Sequence, residues 1–93
     1  MDFLAQKMSP EDVKKYNAAQ KKTGGMPLDP YGSKHVCDAI EACITAVKNR
    51  GKNDPDYIQG VISYTMREDG SWEELSSEER QRVVRVVTEY FQK

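Results

Sequence analysis

The most reactive side chains of this 93-residue sequence are concentrated in one short segment. His35, the one histidine, stands two positions before Cys37, and Cys43 follows six positions after that thiol. On a helix the imidazole of His35 and the thiol of Cys37 would point about 160° apart, so the histidine cannot activate the cysteine. The two cysteines would diverge by about 120°, so they cannot form a disulfide within that helix. These three residues therefore give no catalytic centre.

The same three residues supply too few ligands for a zinc site, which needs about four at workable spacing. We expect Cys37 and Cys43 to be small buried hydrophobic side chains in a reducing compartment. A disulfide between subunits and a metal site are the alternatives. His35 is expected to be an ordinary surface or half-buried histidine. The prediction is therefore a chain that uses no cofactor and no metal.

Acidic residues accumulate after the middle of the chain, and their density invites comparison with a calcium loop. The members of this stretch are Glu68, Asp69, Glu73, Glu74, Glu78 and Glu79. An EF-hand loop with Gly70 at its sixth position would need ligands at Thr65, Arg67 and Ser76, so the register fails. Helix starts and solvated surface explain most of these acids better. Because the glycine-rich phosphate loops GxGxxG and GxxxxGK[ST] are missing as well, we expect no enzymatic activity.

Charge is unevenly distributed, although the formal net charge is only −1. Residues 1–26 contain five lysines and three acids, whereas residues 53–93 contain nine acids and five basic residues. A net charge near zero argues against a dominant non-specific grip on nucleic acid or on an anionic membrane. The basic N-terminal half still offers an alternative function, weak nucleic-acid binding. Its candidate residues are Lys14, Lys15, Lys21 and Lys22, with Tyr16 and Tyr31 as stacking rings.

The histidine and the cysteines lie in the clearest amphipathic pattern of the sequence, residues 29–51. Apolar residues recur there at 3.6-residue spacing, and charged residues take the opposite face. The central stripe consists of Val36, Ile40, Cys43 and Val47. We predict a helix with Asp29 as N-cap and Pro30 as first residue, or with Ser33 as a second candidate cap. Gly51 is predicted to end it.

Start signals predict three further helices, near residues 10–22, 55–69 and 77–92. The signals are Ser9-Pro10, Asp54-Pro55 and the capping-box pair Ser76 and Glu79. Residues 71–75 are expected to form a single turn. In the last helix we expect exposed ion pairs of Glu78 with Arg82 and of Arg85 with Glu89.

These elements predict an all-α fold, a small single-domain bundle of about four helices that spans residues 1–93. Residues 1–8 are expected to be a mobile N-terminus, and residues 23–29 a flexible loop. The alternative is an α+β fold with a hairpin at residues 61–75, because the segment 61–65 is strand-prone and Asp69-Gly70 is a hairpin turn pair.

The sequence also bears on location. No apolar run approaches the roughly 20 residues that a membrane-spanning helix needs. The first residues lack the basic start and apolar stretch of a signal peptide. We therefore expect a cytoplasmic protein without a membrane partner.

The leading functional hypothesis is a small helical interaction protein that binds, and regulates or inhibits, a protein partner. Small regulators and inhibitors, among them those of viruses and mobile elements, are often of this size and style. The predicted contact residues are Met26, Leu28 and Tyr31 in the loop and Glu68, Asp69, Glu73 and Glu74 in the acidic rim. Besides nucleic-acid binding, a second alternative is a homo-oligomer that associates through the valine face of the last helix.

Overall fold

The computed structural model describes residues 9–52 and 54–92 of the chain, and its described residues form helices and loops without a strand. The helices are α1 (Pro10–Thr23), α2 (Lys34–Arg50), α3 (Pro55–Glu68), α4 (Ser71–Glu74) and α5 (Ser77–Phe91). The predicted all-α bundle of four main helices is confirmed, and α4 is the expected single turn. The segment predicted to be mobile, residues 1–8, lies outside the described residues.

Helix α2 lies at the centre of the bundle, where it packs against α3 and α5. Its buried side chains are Val36, Cys37, Ala39, Ile40, Cys43, Ile44 and Val47. The other members of the core are Ile58, Val61, Ile62, Met66, Leu75, Val83, Val86 and Val87. Each such side chain contributes roughly 1.5–3 kcal/mol when it leaves water. The core is thus made by α2, α3 and α5, as the amphipathic patterns predict.

The start of α2 differs from the first prediction. The helix begins at Lys34, and the Ser33 hydroxyl accepts the backbone N–H of Val36 at 3.4 Å, so Ser33 is the N-cap. Asp29 does not cap this helix, because its carboxylate turns inward to an arginine of α5. Gly32, at φ +73°, lets the chain turn between Asp29 and the helix.

Helix α3 occupies the segment for which a hairpin was the alternative, so the α+β alternative at residues 61–75 is wrong. The helical spacing of Ile58, Val61, Ile62 and Met66 decides this, because all four side chains are buried on one face. Asp54 occupies the N-cap position but makes no side-chain capping hydrogen bond.

Helix α5 begins with the predicted capping box. The Ser76 hydroxyl accepts the Glu79 backbone N–H at 3.2 Å, and the Glu79 carboxylate accepts the Ser76 backbone N–H at 2.8 Å. This bond from the Ser76 backbone lowers the pKa of Glu79. Just before the capping box, Leu75 is buried and the Trp72 ring packs against the core.

Helix α1 is attached to the bundle by few side chains. Val13 is its one buried residue, and α5 is its main neighbour. The Asn17 side chain adds a second anchor, because it donates to the Leu28 carbonyl and accepts the Leu28 N–H, both at 2.8 Å. The rest of the side of α1 that faces α5 is left uncovered by the described residues.

Candidate functional site

A fully buried carboxylate fixes the loop in front of α2. Asp29 is 0% exposed, and its Oδ1 accepts a hydrogen bond from Arg82 Nε at 2.9 Å. Its Oδ2 accepts a longer bond from Arg82 Nη2 at 3.4 Å and one from the Ser33 N–H at 3.0 Å. The Asp29 backbone N–H donates to Cys37 Sγ at 3.2 Å. The Asp29 carbonyl accepts the Gly32 N–H at 3.1 Å, so every polar group of Asp29 has a partner.

The same arginine supports an exposed aromatic ring. The guanidinium carbon of Arg82 lies 4.8 Å from the centroid of the Tyr31 ring, while Tyr31 itself is 72% exposed. Burial lowers the pKa of Arg82, but the hydrogen bond and negative charge of Asp29 outweigh it and raise that pKa. The cation under the Tyr31 ring is therefore permanent over the physiological pH range.

Tyr31 stands at the edge of a groove of about 650 Å³ that runs between α1 and α5. One wall is the side of α1 formed by Pro10, Glu11, Lys14, Asn17, Ala18 and Lys21. The other wall is formed by Arg82, Arg85, Val86, Glu89 and Tyr90 of α5, and Pro27, Pro30 and Tyr31 close one end. Prolines, aromatic rings and small aliphatic side chains give it an apolar floor, and charged side chains surround that floor.

Among the charged residues that line the groove, Arg82 is the one that forms an ion pair with another described residue. Among residues 9–52 and 54–92, ion pairs join Arg82 to Asp29 and Lys34 to Asp38, and no others form. The expected pairs of Arg82 with Glu78 and of Arg85 with Glu89 therefore do not form. Once Arg82 is neutralised by Asp29, the cations of Lys14, Lys21 and Arg85 face two carboxylates in the lining, so positive charge is in excess.

The three loop residues predicted as contacts have different surroundings. Tyr31 is exposed, but Met26 is half-buried against the core. Leu28 is also half-buried, and its backbone is held by Asn17. The structure thus brings one of the three, Tyr31, to a concave surface, whereas Met26 packs against the core and Leu28 is half-buried.

The acidic rim is exposed as a whole at the end of α3 and in α4. Its residues are Glu68, Asp69, Glu73 and Glu74. Two arginines flank the rim: the Trp72 ring lies between Arg67 and Arg80, whose guanidinium carbons are 4.7 Å and 4.8 Å from its centroid. Arg80 also donates to the Trp72 carbonyl at 2.6 Å. This surface is mixed in charge, and none of its residues lines the groove.

The four N-terminal lysines are exposed but divided between two sides of α1. Lys14 and Lys21 line the groove, whereas Lys15 and Lys22 lie outside its lining. Tyr16, the proposed stacking ring, is half-buried. The four lysines therefore do not form one continuous strip, and Tyr31, the other predicted stacking ring, lines the groove with two of them, Lys14 and Lys21.

The thiols lie away from the groove and are protonated. Burial raises the pKa of Cys43 to about 12, with a smaller effect from Asp69, and burial also raises the pKa of Cys37. His35 is exposed. The described residues contain no group of three or more histidine, cysteine and acidic side chains placed to hold a metal ion. Their helices include none that is both long and apolar enough to cross a membrane.

No protein-family model, curated protein or solved structure matches this chain. Function is therefore argued from the geometry above. Sequence reasoning missed two residues of the candidate site, Asp29 and Arg82, because each was assigned to a nearer partner along the chain. The one sequence signal that could have indicated a buried ion pair is Asp29 itself, an acid between apolar residues in a loop rich in proline.

Proposed function

We propose that the protein works by binding another protein, and that the groove between α1 and α5 receives an acidic segment of that partner carrying apolar side chains. The observation that carries this proposal is Tyr31, a large ring exposed at the groove and held there by the Asp29–Arg82 pair. Tyrosine and arginine are enriched among residues that dominate interface energies. A ring that is already fixed also loses little entropy on binding.

The lining of the groove favours the chemistry of the bound segment. Its floor contains Pro27, Val86 and Tyr90, which suit apolar side chains. The same lining holds the cations of Lys14, Lys21 and Arg85, which outnumber its two carboxylates, Glu11 and Glu89, once Arg82 is paired with Asp29, and which suit carboxylates of a partner. An acidic segment with apolar side chains would use both the apolar and the cationic residues of the lining. By covering that segment of the partner, this protein would regulate or inhibit the partner.

Nucleic acid fits the groove less well than an acidic protein segment does. A phosphate backbone has no apolar group to cover Pro27 and Val86, whereas an acidic segment with apolar side chains does. Of the two proposed stacking rings, Tyr16 is half-buried, and the exposed ring of Tyr31 already has the Arg82 guanidinium against it.

The exposed acidic rim supports the same class of function. Glu68, Asp69, Glu73 and Glu74 are free to meet a basic surface, so they would contribute a second contact with a protein partner. We propose it as an auxiliary surface, because its residues lie outside the groove that would hold an anchoring side chain.

The test is a selection of peptides from a random display library on the full chain, followed by affinity measurements with the enriched peptides. The groove variant is Lys14→Glu with Lys21→Glu, and the matched control is Lys15→Glu with Lys22→Glu. Both change the charge of α1 equally, but only the first alters the groove lining. We expect enriched peptides to be acidic and apolar, and to lose about tenfold or more in affinity for the groove variant alone, as for Tyr31→Ala.

Equal losses for the two lysine pairs would contradict a groove and indicate general electrostatic attraction. Binding of single-stranded or duplex DNA that falls steeply with salt, and is lost in both lysine-pair variants, would assign the surface to nucleic acid instead.

A further inference from the structure

The outward face of α3 has an uncovered glycine at its centre. Gly60 is exposed in the middle of the helix, and a Cβ added there would meet no atom within 4 Å. Alanine would therefore fit and would form the helix better than glycine. The fold of a single chain gives no reason for a glycine at this position, but a backbone approaching from outside would.

Two side chains border Gly60 at equal distance along the helix. Asp56 lies four residues before it and Tyr64 four residues after it, and all three are exposed. Tyr64 is 56% exposed, and the guanidinium carbon of Arg50 lies 5.8 Å from its ring centroid. Arg50, Asp56, Gly60 and Tyr64 line a shallow depression together with Tyr57 and Val61. The face thus carries an acid at one end, an arginine and an aromatic ring at the other, and the bare backbone of Gly60 between them.

This arrangement is complementary to itself. If a second α3 crosses the first antiparallel at Gly60, residues four positions before and after the glycine come opposite each other. Asp56 of each copy then faces Tyr64 of the other, beside the Arg50 that lies on that ring. Both ends of the contact pair opposite charges, as a two-fold symmetric interface requires. The two glycines allow the helix axes to come close, and the tyrosines fill the space on either side.

We infer that this face of α3 binds the same face of a second copy of the chain, in an antiparallel contact centred on Gly60. The contact involves one helix and one arginine from each copy, which is less surface than the 1,200–2,000 Å² of standard stable interfaces. The dimer is therefore weak and depends on concentration. It differs from the oligomer predicted from the sequence, which relied on the valine face of α5: Val83, Val86 and Val87 are buried in the core, and Val84 is half-buried against it.

The first test compares Gly60→Ala with Gln59→Ala by sedimentation equilibrium, from about 10 µM to about 1 mM of the full chain. Gly60→Ala is expected to raise the unfolding temperature and to weaken dimerisation at least tenfold, because the new methyl groups separate the helices. Gln59→Ala alters the adjacent exposed position, about 100° away around the helix, and should leave dimerisation unchanged. Since Gly60→Ala stabilises the fold, loss of the dimer cannot be attributed to unfolding.

The second test exchanges the charges. Arg50→Glu places acids at both ends of the face, and Asp56→Lys places bases at both ends, so each variant alone should be monomeric. A mixture of the two variants should form a heterodimer, because each end then pairs opposite charges again. A wild-type chain that stays monomeric up to about 1 mM would overturn the inference. So would a Gly60→Ala chain that dimerises like wild type, or a mixture of the charge variants that does not associate.

Discussion

The carboxylate of Asp29 and the guanidinium of Arg82 form an ion pair across 53 residues of sequence, with Asp29 fully buried and the Arg82 side chain 20% exposed. The pair joins the loop before α2 to the first half of α5. It also places the cation on which the Tyr31 ring rests. One buried interaction therefore holds both the path of the loop and the exposed ring of the candidate site.

The two partners of this pair should not be equally costly to replace. Arg82→Met leaves a fully buried carboxylate without its counter-charge and should lower the free energy of unfolding by about 3–5 kcal/mol. Asp29→Asn leaves the arginine, which still reaches water, and should cost about 1–3 kcal/mol. Urea unfolding followed by circular dichroism measures both.

A combined replacement gives the control for this asymmetry. Asp29→Leu together with Arg82→Met removes both charges and should be less destabilising than Arg82→Met alone. If Asp29→Asn proves as costly as Arg82→Met, the remaining carboxylate is not the source of the loss.

Sequence reasoning succeeded for the amphipathic face of α2 and for the start of α5, where the deciding interactions are local, although the expected pairs of Glu78 with Arg82 and of Arg85 with Glu89 do not form. The stripe through Val36 and Val47 and the capping box of Ser76 and Glu79 involve residues that are close along the chain, and both were predicted correctly. Asp29 was misassigned because an aspartate before a proline is a good local cap signal, while its actual partner lies on another helix.

The candidate site depends more heavily on contacts that no local pattern encodes. Leu28 is half-buried because the Asn17 side chain, eleven residues earlier, binds its backbone in both directions. The groove exists because α1 leans on α5 without covering it, an arrangement fixed by Val13, Asn17 and the loop together. Tyr31 was a correct choice as an exposed residue, but its support by Arg82 required knowledge of the fold.

The double hydrogen bond of Asn17 should control how firmly α1 is attached. Asn17→Ala leaves the part-buried N–H and carbonyl of Leu28 without partners, so we expect a loss of about 1–3 kcal/mol. Amide hydrogen exchange in α1 should become faster relative to α2, because α1 has little else to hold it. Lys15→Ala, an exposed change in the same helix, should stay within about 0.5 kcal/mol of wild type. Unchanged exchange in α1 of Asn17→Ala would show that the anchor lies elsewhere.

The two residues at N-cap positions of α3 and α5 should differ in their contribution to stability. Ser76→Ala removes a hydroxyl that accepts the Glu79 N–H and should cost about 1 kcal/mol. Asp54 makes no such bond, so Asp54→Ala should cost clearly less than that.

The capping box of α5 should also depend on pH. The pKa of Glu79 is lowered in the folded chain, so the stabilising effect of the Glu79 carboxylate is present at neutral pH and lost as pH falls through that lowered pKa. Thermal unfolding of both variants at neutral and acidic pH compares these costs, and equal losses at neutral pH would contradict the assigned caps.

The buried thiol of Cys43 should make the fold sensitive to alkali. Burial raises its pKa from 9.0 to about 12, whereas in the unfolded chain the thiol titrates near its ordinary value. Its protonated form therefore stabilises the fold fully below pH 9, and this contribution declines as pH rises toward the folded pKa. Near pH 8 we expect Cys43→Ala to be less stable than wild type, because the substitution leaves a cavity. Near pH 10 the wild-type chain loses the contribution of its thiol, so the difference in free energy of unfolding should narrow by about 1.4 kcal/mol. Urea unfolding of both chains at the two pH values measures this effect, because every other titrating group is common to both. If the difference between their free energies of unfolding stays constant, the Cys43 thiol ionises as readily in the folded chain as in the unfolded one.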